Sequence, residues 1–91
     1  MTEKASKTVH LGDDAVLHIR PASTFVKEAM RFDCKVFVTR DGQRVNGKSV
    51  MELLTLAAGS GETLILEAEG PDADMAINQL AALVERGFRA D

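Results

Sequence analysis

The sequence predicts an α+β domain in which an antiparallel sheet is covered by helices on one side. Three observations lead there. Segments of period-two alternation are interleaved with segments whose apolar residues recur at three- and four-residue steps. Read in order, they give β-α-β-β-α-β-α. Several strands carry polar residues on one of their two faces, as a sheet with one wet face requires.

After a polar lead-in over residues 1–6, Lys7 to Leu11 alternates Val9 and Leu11 with polar neighbours, and Gly12-Asp13-Asp14 ends this first strand. From Arg20 to Phe32, the residues Ala22, Phe25, Val26, Ala29 and Met30 fall on one stripe of a first helix. Pro21 marks the beginning of that helix, because proline is tolerated only in the first turn, where its missing N–H has no intrahelical partner. His18 is thereby placed at or just before the N-cap. Asp33 to Arg40 sets Val36 and Val38 against Lys35, Phe37 and Thr39, and Asp41-Gly42 is a strong hairpin signal before a short return around Gln43 to Val45. Ser49 to Ala58 has Leu53, Leu56 and Ala57 at helical spacing and is expected to stop at Gly59. Thr63 to Glu69 alternates Leu64, Leu66 and Ala68 with Ile65, Glu67 and Glu69. With Asp72 as N-cap, the stripe Ala73, Ala76, Ile77, Leu80, Leu83 and Val84 forms a third helix, with Gly87 beyond it.

A chain of 91 residues accommodates one core, so a single domain over 1–91 is expected, without repeats or an internal linker. The net charge of -3 and only four aromatic residues, all Phe, argue against a nucleic-acid partner, which would need many cationic contacts or stacking platforms. Cys34 is the only cysteine, which excludes an intrachain disulfide and a multi-cysteine metal site and suits a reducing compartment. No apolar run approaches the ~20 residues of a membrane span, and the polar N-terminus lacks a secretory core. A cytoplasmic chain without membrane insertion is expected. Neither a metal nor a cofactor is implied.

The chemistry concentrates in His18-Ile19-Arg20-Pro21. An imidazole, with an ordinary pKa of about 6.5, offers an unprotonated ring nitrogen as a nucleophile near neutral pH. A helix start adds free N–H groups and the positive end of the helix dipole, both favourable to phosphate. Arg20 adds a permanently charged fork for phosphate oxygens. From these residues alone, a surface histidine that merely caps a helix fits as well. His10, inside a strand pattern with no adjacent cation, is expected to be structural. Ser49, after Asn46-Gly47-Lys48, is suited to cap the second helix, and a phosphoryl group there would also suit a helix N-terminus. That helix carries Val50, Met51 and Leu54 besides its core-facing residues. Either a sticky exposed patch or a deeply buried helix explains them.

Leu17-His18-Ile19-Arg20-Pro21-Ala22, Phe25-Val26-Lys27-Glu28-Ala29, Val45-Asn46-Gly47-Lys48-Ser49-Val50-Met51 and Glu67-Ala68-Glu69-Gly70 together resemble the HPr family of the bacterial phosphoenolpyruvate-dependent phosphotransferase system. The resemblance runs from about Lys7 to Phe88. It implies an open-faced β-sandwich, a four-stranded antiparallel sheet with three helices on one face. It implies a phosphocarrier, a covalent intermediate in a relay and not a self-contained enzyme, expected to act as a monomer. By the resemblance, Nδ1 of His18 receives phosphate from enzyme I and passes it to an enzyme IIA component, and Arg20 contacts the phosphoryl group. Ser49 matches a regulatory serine modified by HPr kinase/phosphorylase in some lineages, while Val50, Met51 and Leu54 fall where the family docks partners. Two residues depart from the family pattern: Val16 replaces the usual glycine and Ile19 the usual small residue. Val16 cannot adopt positive φ cheaply, and Ile19 puts a branched side chain beside the site. They keep a rival reading open, a diverged regulatory interaction protein acting through Ser49 or partner binding, with weak or no relay.

Overall fold

The computed structural model describes residues 3–12 and 16–89. These form β1 (Lys4–His10), α1 (Ile19–Ala29), β2 (Lys35–Arg40), β3 (Gln43–Asn46), α2 (Val50–Thr55), β4 (Thr63–Glu69) and α3 (Ala73–Glu85). The strands make one antiparallel sheet in the order β1-β4-β2-β3, and the three helices cover one of its faces. The expected open-faced sandwich is what the chain adopts. The Asp13-Asp14 turn lies outside the described residues.

Alternation in the strands decides which face is dry. Val9, Val36, Val38, Val45, Leu64, Leu66 and Ala68 are buried toward the helices, where they meet Ala22, Phe25 and Ala29 of α1, Leu53 of α2 and the inner stripe of α3. Every residue assigned to the α3 stripe from spacing is buried. The opposite face carries Lys4, Ser6, Phe37, Arg44, Ile65, Glu67 and Glu69, with Arg44 stacked 3.7 Å from the Phe37 ring centroid and paired to Glu67 at 3.3 Å. The Asp41-Gly42 hairpin forms as expected: φ is 49° and 81°, the left-handed pair that a two-residue turn between twisted strands demands.

Several boundaries differ from the sequence pattern, each for a reason outside local spacing. β1 begins at Lys4, inside the expected lead-in, because Lys4, Ala5 and Ser6 pair with Glu69, Ala68 and Glu67; the backbone ladder is indifferent to their polarity. α1 stops at Ala29, with Met30 as C-cap and 63% exposed, outside the expected apolar stripe. Asp72 occupies the N-cap of α3, but its Oδ2 accepts the Asp33 N–H at 2.8 Å across to the β2 approach, so it ties two loops together. α2 ends at Thr55, well before Gly59; Ala57, expected on the buried face, is exposed and left-handed at φ 50°. That early stop turns Ala58 inward, where it is fully buried.

Candidate functional site

Leu17 sets the position of His18. Its side chain is buried, its N–H donates to Ala58 O at 2.9 Å, and the next N–H, that of His18, closes a tight turn onto Val16 O at 2.8 Å. The chain then enters α1 with His18 as N-cap in extended conformation (φ -95°, ψ -168°), its carbonyl accepting from Ala22 N–H at 3.0 Å. The imidazole is exposed and takes a side-chain capping role: Nδ1 accepts the Arg20 N–H at 3.3 Å. An accepting ring nitrogen holds its lone pair in that direction, so the proton of the neutral ring sits on Nε2. At 3.3 Å the bond is long for its kind. Pro21, half-buried in the first turn, has no N–H to leave unpaired.

Arg20 is exposed, and its guanidinium forms no hydrogen bond or ion pair with a described residue. Its backbone N–H is engaged by His18 Nδ1, while its side chain points to no partner among the described residues. The two departures around the histidine act differently. Among the described residues, left-handed conformations occur at Asp41, Ala57, Phe88 and four glycines, so Val16 needs no positive φ and carries no such strain. Ile19, the first helical residue, is 65% exposed and gives the histidine an apolar neighbour.

At the second candidate position, Ser49 caps α2: its Oγ accepts Glu52 N–H at 3.2 Å and its carbonyl accepts Leu53 N–H at 3.0 Å. Glu52 reaches back to Asn46 N–H at 2.9 Å, and Asn46 Oδ1 accepts Lys48 N–H at 2.9 Å. The Lys48 ammonium is engaged with Phe32 O at 2.9 Å. Ser49→Ala is expected to lower unfolding stability by about 1 kcal/mol through loss of this cap, read as a shifted urea midpoint at unchanged slope. The two explanations for the apolar surplus of α2 each apply in part. Met51 is 80% exposed, whereas Val50 and Leu54 are half-buried and pack against the core.

Two residues of this region carried no signal in the sequence. Arg40, at the end of β2, donates Nε to the Glu62 carboxylate and Nη1 to Leu56 O at 3.0 Å. Glu62 Oε1 also accepts Gly59 N–H at 3.1 Å. The hydrogen bond from Arg40, aided by that of Gly59, holds the Glu62 carboxyl below the usual carboxylate range, and the same bond raises the Arg40 guanidinium. His10 is exposed, with Nδ1 3.0 Å from Thr63 Oγ1. Burial pushes the Cys34 thiol up, against a lowering by Lys48, which disfavours a thiolate.

Among the described residues, no group of three His, Cys, Asp or Glu could hold a metal ion, and no helix is long and apolar enough to cross a membrane. A concavity of about 260 Å³ lies on the exposed sheet face between Lys4, Phe37, Arg44 and Glu69, away from His18. The site thus sets an exposed imidazole at a helix start, two residues before an exposed arginine whose guanidinium has no partner among the described residues.

The fold and this site define a small histidine-bearing carrier domain. Residues 5–86 match the family described as "PTS HPr component phosphorylation site". The chain is 41% identical to the phosphocarrier protein HPr of Treponema pallidum over 85 residues, 93% of this chain and 97% of that one. It is 47% identical to the HPr-like protein Crh of Halalkalibacterium halodurans over 70 residues, 77% and 83% of the two chains. The crystal structure of HPr-C-His from Thermoanaerobacter tengcongensis superposes with a TM-score of 0.87 at 36% identity, covering 92% of this chain and 94% of that one. The chain belongs to the HPr family, the phosphocarrier proteins of the phosphotransferase system.

Proposed function

We propose that this protein accepts a phosphoryl group on Nδ1 of His18 from enzyme I and delivers it to an enzyme IIA component. The observation that carries this reading is the placement of an exposed imidazole at the N-terminus of α1, its Nδ1 lone pair held only by a long hydrogen bond from the Arg20 N–H. In the acceptance step the Nδ1 lone pair forms the N–P bond as the bond from phosphorus to the donor breaks, and the electron pair of that bond stays with the donor. The Arg20 N–H, no longer able to donate to Nδ1, turns to a phosphoryl oxygen, and the guanidinium adds charge to the same oxygens. Donation to enzyme IIA is the reverse with a new acceptor. The protein lowers no barrier by itself; each partner supplies the opposing half of the site.

Met51 and Ile19, both largely exposed, and the half-buried Val50 and Leu54 supply the apolar surface on which both partners dock. Incubation with enzyme I and phosphoenolpyruvate is expected to add one phosphoryl group per chain, lost on mild acid treatment as a phosphoramidate is. An unchanged intact mass would sink the proposal. The kinship to an HPr-like Crh protein supports a second reading, regulation through Ser49 by HPr kinase/phosphorylase. Acid-stable phosphate at Ser49 from that kinase and ATP, without uptake from enzyme I, would favour it.

A further inference from the structure

Residues 56–62 are held from two sides. From one side they receive the loop that carries His18: Leu11 N–H donates to Glu62 O at 2.9 Å, Gly61 N–H to Leu11 O at 3.1 Å, and Leu17 N–H to Ala58 O at 2.9 Å. These bonds grip the loop at both ends. From the other side the segment is held by Arg40, whose Nη1 takes Leu56 O while Nε takes the Glu62 carboxylate, so one guanidinium joins the first residue of the segment to its last. Glu62 in turn ties back to Gly59 N–H. Both side chains are about two-thirds sheltered, at 28% and 32% exposure, a setting in which an arginine fork keeps a fixed geometry better than a solvated pair does.

Between Leu56 and Ala58 stands Ala57 in the left-handed region, a conformation that a residue with a Cβ holds only when its surroundings impose it. Arg40 fixes the carbonyl just before that step, and Ala58, just after it, carries the carbonyl that positions Leu17. One peptide further on is His18. Leu56 is thus separated by a single constrained residue from Ala58, whose carbonyl anchors the residue before His18.

We propose that Arg40 and Glu62 are positioning residues for phosphoryl acceptance, bracing residues 56–62 so that the His18 ring and the start of α1 stand in a fixed relation. This rests on the reading of His18 given above. Neither side chain touches the histidine; their effect passes through Leu56, Ala57, Ala58 and Leu17.

The test compares the parent with Arg40→Met, which keeps much of the apolar stem but removes both donors, and Arg40→Lys, which keeps the charge. Amide hydrogen exchange is read at Leu17 and in the central strand β4, and single-turnover transfer from phosphorylated enzyme I is resolved into a saturating rate and a half-saturating concentration. In Arg40→Met, Leu17 is expected to exchange on the order of tenfold faster relative to β4, because local opening is separable from global unfolding. The saturating rate is expected to fall on the order of tenfold with the half-saturating concentration little changed, as for a mispositioned nucleophile whose docking surface is intact. Arg40→Lys should recover part of both.

The proposal is overturned if Leu17 loosens only in proportion to β4, which would make Arg40 a contributor to global stability alone. It is equally overturned if Leu17 loosens and transfer is unaltered. If the parent itself accepts nothing from enzyme I, the reading of His18 fails instead, a result distinct from a parent that transfers and a variant that transfers equally well.

Discussion

Replacement of His18 by Gln is expected to abolish phosphoryl uptake from enzyme I while leaving a folded chain. The side chain is exposed and contributes one long capping bond from Arg20 N–H, so the structural cost should stay within about 1 kcal/mol, the scale of a single cap. An amide has no nucleophilic lone pair on nitrogen. His10 is the other histidine, but it stands in β1 beside Thr63, without the helix start and adjacent arginine that favour a phosphoryl group at His18. His10→Gln should therefore accept phosphate like the parent. Arg20→Ala should lower the transfer rate by about a hundredfold, the scale for removal of one donor to developing oxygen charge, and Arg20→Lys by less. Intact mass gives the extent of uptake, quench-flow the rate, and thermal unfolding the fold. Undiminished uptake by His18→Gln would place the acceptor elsewhere in the chain.

The parts of this site were unequally visible in the sequence, for physical reasons. His18 at a helix start was legible because Pro21 reports a backbone constraint through its own ring, independent of any tertiary contact. The strands β2 and β4 and the stripe of α3 were legible because burial on one face imposes its period on the residue types. The end of α2 was not. Its last turn gives way at Thr55 because Leu56 and Ala58 have partners elsewhere, Arg40 for one carbonyl and Leu17 for the other, and spacing within the helix contains neither. Gly59 looked like the stop only because glycine is the residue that adopts left-handed φ without strain; here Ala57 adopts it under constraint. The Arg40–Glu62 pair was invisible for a related reason. Its members are 22 positions apart, in a chain with 11 cationic and 14 acidic side chains, and pairing among them is decided by the sheet order.

At the other end of the sheet, Gly70→Ala is expected to destabilise the protein strongly without touching the chemistry. Gly70 closes β4 with φ at 144°, where a side chain is disfavoured whatever the space. Space is lacking too: an added Cβ would lie 2.8 Å from Cys34 Cα and 3.0 Å from both Asp33 O and Cys34 Cβ. Two of these neighbours are backbone atoms, so no rotamer change relieves the clash. The backbone there is itself pinned, since Asp33 bonds Asp72 through both its N–H and its carbonyl, and Gly70 N–H donates to Glu3 O at 2.8 Å. Strain and overpacking each cost about 1–3 kcal/mol, so a loss of about 3 kcal/mol is expected. In a domain of this size that lowers the melting temperature by roughly 12 °C or more. Gly12→Ala, where nothing lies within 4 Å of the added carbon, serves as the contrast and should change stability little. A loss below about 1 kcal/mol for Gly70→Ala would mean that residues 33–34 can retreat, contrary to the hydrogen bonding around them. Because β1, β2 and β4 run the length of the sheet between Gly70 and the His18 loop, the folded fraction of this variant should accept phosphate at the parent's rate. Arg40→Met should show the converse, a slowed transfer out of proportion to its effect on unfolding. The two variants together separate what holds the sheet from what aims the histidine.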